Sequence, residues 1–217
     1  MIRVQAALLF SLAIPMGAAE AGETGLAALA AQRSAVSAVD GRGVRTVQRI
    51  GEDDAPVEKR EVRFAVANDG RYEIVITSPD DPAERTRLVS DGRRAASQEW
   101  TMPDELPVVK ALAVGGQDLL QRLLSCLRLD LAALKSEYAV ELRPAGPGLR
   151  ELSLVPTAPA VAREVASVAV AIDDAGRPVR VVLIDTSGER HRLDVTAFSD
   201  DPQLDPARFA LPGQAEP

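Results

Sequence analysis

From Gly41 to Trp100 hydrophobic and polar positions alternate with a period of two, the signature of strands with one buried face. Val62, Phe64 and Val66 alternate with Arg63, Ala65 and Ala67, and Tyr72, Ile74 and Ile76 alternate with Glu73, Val75 and Thr77. Asn68-Asp69-Gly70 separates the two runs with residues that tolerate positive φ, so the pair reads as a hairpin. A further strand is predicted over Arg85 to Ser90, a turn at Asp91-Gly92 and another strand ending at Trp100, which makes this half a meander.

Two stretches leave this period. Leu26, Leu29, Ala30, Val36 and Val39 stand near helical spacing between Thr24 and Asp40-Gly41, which predicts an amphipathic helix over Gly25 to Val39. Gln117 to Leu134 carries Leu120, Leu123, Leu124, Leu127, Leu131 and Leu134 on one face, with Asp118, Gln121, Arg122, Ser125 and Arg128 on the other. Asp118 and Arg122 are spaced as an i,i+4 pair, and Asp130 is placed to cap a second short helix. This leucine-rich segment fits two roles, a core helix or a lid over a cavity.

The period of two returns from Tyr138 to Arg143, Leu149 to Pro156, Ala166 to Ile172, Val179 to Thr186 and Arg190 to Phe198. The nearly continuous apolar run Val179 to Thr186 marks a central strand. Nine or ten strands at hairpin spacing with two helical segments predict an α+β fold, a curved antiparallel sheet with helices on one face.

Before the first helix, Arg3, the apolar run Val4 to Ile14 and the small residues around Ala19-Glu20-Ala21 have the form of a secretory signal, so residues 1–21 are expected to be removed and 22–217 to form one domain. The apolar run is about half the roughly 20 residues a membrane span needs. No cysteine stands near the cut, so no lipid anchor is expected there. Removing one base and one acid leaves the net charge of −7 unchanged, a balance that argues against nucleic-acid or anionic-lipid partners. A single cysteine, Cys126, forms no internal disulfide; in an exported chain this points to a periplasmic fold that stands on its core.

Catalytic chemistry finds little footing. His191, the only histidine, lies in an alternating strand between Arg190 and Arg192 and reads as a surface or rim residue; Cys126 sits in the leucine-rich segment as a small hydrophobe. One His and one Cys make no zinc set of known spacing, and no glycine-rich phosphate loop follows a strand, so neither metal nor cofactor is expected. Asp53-Asp54, Asp80-Asp81, Asp173-Asp174 and Asp200-Asp201 sit beside Gly, Pro or Ala and read as turn residues.

The stretch VAVAIDDAGRPVRVVLIDTSGERHRLDVTAF, the linker Asp200 to Asp205 and Phe209-Ala-Leu-Pro212-Gly213 together resemble the closing strands of LolA-like proteins, the periplasmic carriers of outer-membrane lipoproteins. Gly70-Arg71-Tyr72 and Val89-Ser90-Asp91-Gly92 resemble two further signatures of that family, whereas Glu73 and Ile74 stand where its carriers place Arg and Trp. The resemblance implies an unclosed β-barrel whose concave apolar face is covered by helices and opens to take acyl chains. It also implies an acylated lipoprotein or other lipid as ligand, with an inner-membrane transporter and an outer-membrane acceptor as partners and no stable membrane insertion. An envelope sensor of the RseB type is the alternative.

An acyl site needs apolar area rather than a motif, because affinity scales with burial at about 25 cal/mol per Å². The inward positions of the alternating strands supply the expected lining: Phe64, Val66, Ile74, Ile76, Leu88, Trp100, Val168, Val170 and Ile172. Leu120, Leu123, Leu124 and Leu127 are the expected lid.

Overall fold

A computed structural model describes residues 16–49, 58–102, 105–112 and 119–213. Among these residues eleven strands form one antiparallel sheet: β1 (Ala38–Arg49), β2 (Glu58–Ala67), β3 (Arg71–Thr77), β4 (Arg85–Asp91), β5 (Ala95–Trp100), β6 (Val108–Leu112), β7 (Tyr138–Gly146), β8 (Leu149–Pro156), β9 (Val165–Asp173), β10 (Pro178–Asp185) and β11 (Glu189–Asp200). Their order is β6-β5-β4-β3-β2-β1-β11-β10-β9-β8-β7. Two meanders thus meet where the first strand pairs the last, from Val39 opposite Asp200 to Arg49 opposite Glu189. Every other pair of neighbours is consecutive in the chain, so the long-range step in topology is this single seam. The sheet ends at β6 and β7 without closing, an α+β fold built on a curved, open barrel.

Four α-helices of the described residues accompany the sheet: α1 (Met16–Ser34), α2 (Leu119–Arg128), α3 (Leu131–Glu137) and α4 (Pro159–Ala162). Of these, α1 and α3 pack on β7 and on each other, while α2 reaches across to β1, β2 and β10. The Asn68-Asp69-Gly70 hairpin forms as expected, with Gly70 at φ 85° where a side chain would be strained.

The first helix ends earlier than its spacing suggests. It stops at Ser34, and Val39 and Asp40 already belong to β1. The cause is distant in sequence: Asp201 Oδ1 accepts from the backbone N–H of Ser37 at 2.6 Å and of Ala38 at 3.3 Å, which draws this segment into the strand. β6 is likewise unannounced, since its residues are mostly exposed and show no alternation of burial. The expected signal cut at Ala19-Glu20-Ala21 falls inside α1; residues 1–15 lie outside the described part.

At the seam, β1 carries a register shift between Arg42 and Gly43. Gly41, two residues before Gly43, lets the Phe64 ring lie against the backbone: a Cβ there would meet Ala197 O at 2.5 Å and Phe64 Cζ at 2.6 Å. Phe64 in turn packs on Phe198 with ring centroids 6.3 Å apart. Gly41→Ala is expected to cost about 1–3 kcal/mol through this overpacking, read as a lower urea midpoint with an unchanged slope.

Candidate functional site

Strand parity sorts the sheet into two faces. Cross-strand partners Gly41, Phe64, Ile74 and Leu88 share one face, and Asp40, Ala65, Glu73 and Val89 share the other. The first is the inner face, because its residues form one core with Leu123, Cys126 and Leu127 of α2. Of the expected lining, Phe64, Ile74, Leu88, Val168, Val170 and Ile172 are buried in this core, and Val66 and Ile76 are partly buried against it. Trp100 stands apart from them. It pairs with Arg85, on the register row of Glu61 and Thr77, and so lies on the outer face, with the Arg85 guanidinium 4.3 Å from its ring centre.

The helical segment breaks where the sequence places Asp130 as a cap: its carboxylate accepts from Ala133 N at 3.1 Å. Leu129, just before it, adopts φ 52° while wholly buried. For a leucine this left-handed conformation costs about 1–2 kcal/mol, so backbone strain sits beside the Asp130 cap at the junction of α2 and α3. Leu123 and Leu127 are wholly buried over the inner face. Leu120 and Leu124 lie outside the described side chains, as does Asp118. Arg122 approaches Glu137 at 3.7 Å and Glu164 at 3.6 Å, beyond hydrogen-bond length.

The C-terminal end of α2 is held by a residue that no local pattern marks. Arg33 of α1, 4% exposed, donates through Nε and Nη2 to the Arg128 carbonyl at 3.3 Å each and through Nη1 to Asp200 Oδ1 at 2.6 Å. Its guanidinium also lies 5.7 Å from the Phe198 ring centre. One side chain therefore ties α1, the end of α2 and the end of β11. Its partners stand 95 and 167 residues away, so only the structure brings them together.

Open depressions on the described surface include one of about 380 Å³ where α1 meets the junction of α2 and α3, lined by Arg33, Arg128 and Leu129 among others. Another of about 540 Å³ on the outer face is lined by Asp40, Arg63, Glu73 and Arg208 among others. α2 covers the inner face across β1, β2 and β10. Among the described residues no helix is long and apolar enough to cross a membrane.

His191 is not at the surface. Its side chain is 7% exposed on the inner face, beside Asp185 and Glu189, because the period of two that puts its arginine neighbours outside turns it inward. Cys126 is buried on α2, and burial pushes its thiol up to about 12, which leaves almost no thiolate at neutral pH.

No family model matches the chain, and no curated protein matches it. Solved structures similar to it include an uncharacterized conserved protein from Thermus thermophilus, 14% identical over 89% of this chain and 96% of that one, with a TM-score of 0.49. A LolA superfamily protein from Nitrosomonas europaea is 15% identical over 88% of this chain and 98% of that one, TM-score 0.43. The Mycobacterium tuberculosis lipoprotein LppX is 13% identical over 84% of this chain and 98% of that one, TM-score 0.42.

Alkylation of Cys126 measures how tightly α2 is seated. With the thiol buried and pushed up, iodoacetamide is expected to label it at least about 100-fold more slowly in the folded protein than in urea. A folded-state rate close to the unfolded one would show that α2 does not cover the thiol.

Proposed function

We propose that this chain is a periplasmic carrier that binds the acyl chains of a lipid or lipoprotein on the inner face of its sheet, with α2 as the lid. The observation that carries this reading is the manner in which the face is closed. An inner surface spanning the long sheet is covered across β1, β2 and β10 by a helix of ten residues, tied at one end by Arg33 and strained at its exit.

Magnitudes favour a long-chain ligand. Leu123 and Leu127 each gain about 1.5–3 kcal/mol by staying buried. An acyl chain of about sixteen carbons gains about 0.8 kcal/mol per buried methylene, or about 12 kcal/mol in all. Such a chain can displace the lid, whereas a molecule of two or three carbons cannot. Relief of the left-handed Leu129 adds to the opening.

The secretory form of residues 1–21 and the sequence resemblance to LolA-like proteins support placement in the periplasm, between an inner-membrane donor and an outer-membrane acceptor. Cys126, the one thiol of the chain, is buried and protonated, which supports binding over catalysis at this face.

Two variants of opposite sign test the lid. The latch favours the closed, empty state, so Arg33→Gln is expected to tighten binding of a fluorescent fatty acid, by about tenfold for each 1.4 kcal/mol the latch contributes. Ile76→Ser places a hydroxyl on a partly buried inner position and is expected to weaken the same binding. Native mass spectrometry of protein purified without detergent is expected to show an acyl adduct. No adduct and no probe binding, with a tight partner protein retained instead, would favour a sensor or interaction module.

A further inference from the structure

At the end of the inner face, where β10 turns into β11, three side chains point at one another. His191 Nε2 lies 3.6 Å from Asp185 Oδ2 and 3.8 Å from Glu189 Oε2, and one ligand atom from each residue falls within 4.8 Å of the others. Although the histidine side chain is 7% exposed, its Nε2 has no hydrogen-bond partner among the described residues. These separations are too long for hydrogen bonds, whose N–H···O distance is about 2.7–3.2 Å. They are close to the spacing of neighbouring ligands around a tetrahedral ion: bonds of about 2.0–2.2 Å put adjacent ligand atoms about 3.3–3.6 Å apart.

The supporting hydrogen bonds are already in place. Asp185 Oδ1 accepts from Ser187 N at 2.9 Å, Ser187 Oγ at 2.8 Å and Glu189 N at 2.8 Å, which fixes the carboxylate and leaves Oδ2 turned toward the histidine. Glu189, about a third exposed, leaves the fourth side open to solvent.

We propose that Asp185, Glu189 and His191 bind a divalent cation of the zinc class, through two carboxylate oxygens and His191 Nε2. One imidazole and two carboxylates make a borderline donor set, better matched to zinc than to magnesium, which takes oxygen ligands in octahedral geometry. Arg45 stands behind the ring: its Nη2 lies 3.5 Å from His191 Nδ1 and its Nη1 3.9 Å from Glu58 Oε1, so its positive charge opposes a cation at Nε2.

The test is calorimetric titration of the chelator-treated full chain with zinc chloride, and with magnesium chloride as comparison, alongside thermal melting. Zinc is expected to bind one per chain, to raise the melting temperature, and to bind more tightly than magnesium. His191→Ala and Glu189→Gln are each expected to weaken binding by more than about 10-fold, the low end of the loss that outer partners alone produce. Because Glu189 is partly exposed, Glu189→Gln keeps the fold and guards against a result due to unfolding. Arg45→Met removes a positive charge beside the cation and is expected to tighten binding. The proposal is overturned by the absence of any zinc-dependent heat or melting shift, or by zinc binding unchanged in both ligand variants. A stability that follows pH through the histidine range with no response to zinc would overturn it too, and would make the cluster a histidinium–carboxylate pair.

Discussion

The buried guanidinium of Arg33 is the interaction on which the seating of α2 depends. Taking a charge out of water costs several kcal/mol unless it is paired and hydrogen-bonded, and Arg33 meets both conditions only when three separate elements are in place. Asp200 at the end of β11 supplies the counter-charge, and the Arg128 carbonyl at the end of α2 supplies the acceptor that helix termini leave unsatisfied. Asp201, the next residue, holds the start of β1 through the N–H groups of Ser37 and Ala38. The chain's long-range seam and the anchorage of α2 thus share one short stretch at the end of β11.

The two faces of the sheet are held to different degrees. On the outer face the C-terminal segment is bonded to the sheet by charged groups: Arg208 donates to Glu73 at 2.9 Å and to Asp40 at 3.2 Å, and Arg87 donates to the Arg208 carbonyl at 2.8 Å and to Glu73 at 2.8 Å. Phe209 lies under the Arg71 guanidinium, and Leu211 is buried with Val89 and Ala96. The cover of the inner face is of another kind, apolar contact plus a latch at one end.

Much of this is legible in the sequence. The alternations around Phe64 and Ile74 define both the hairpin and the face on which these residues lie, because a period of two admits one assignment once one face is apolar. Asp130 is recognisable as a cap for the same local reason. Trp100 is misplaced when sorted by size, since Ala95 to Trp100 offers no contrast of apolar and polar positions to set its parity, and cross-strand pairing with Arg85 decides it instead. His191 reads as a rim residue only if its arginine neighbours are weighed above its alternation with Leu193, which already points it inward. Arg33 is beyond reach, because its partners stand 95 and 167 residues away, and β6 shows no alternation to announce it; the Asp185–Glu189–His191 cluster falls within one hairpin but becomes visible only once His191 is placed inward.

The central claim is that α2 opens while the sheet stays folded, and native-state amide exchange at low urea tests it most directly. The expected result is that residues 119–128 exchange through an opening with a free energy well below that of β10 and β11, with little dependence on urea, and faster still when a fatty acid is bound. If α2 exchanges only with the free energy and urea slope of global unfolding, it is an ordinary part of the core and the lid does not exist.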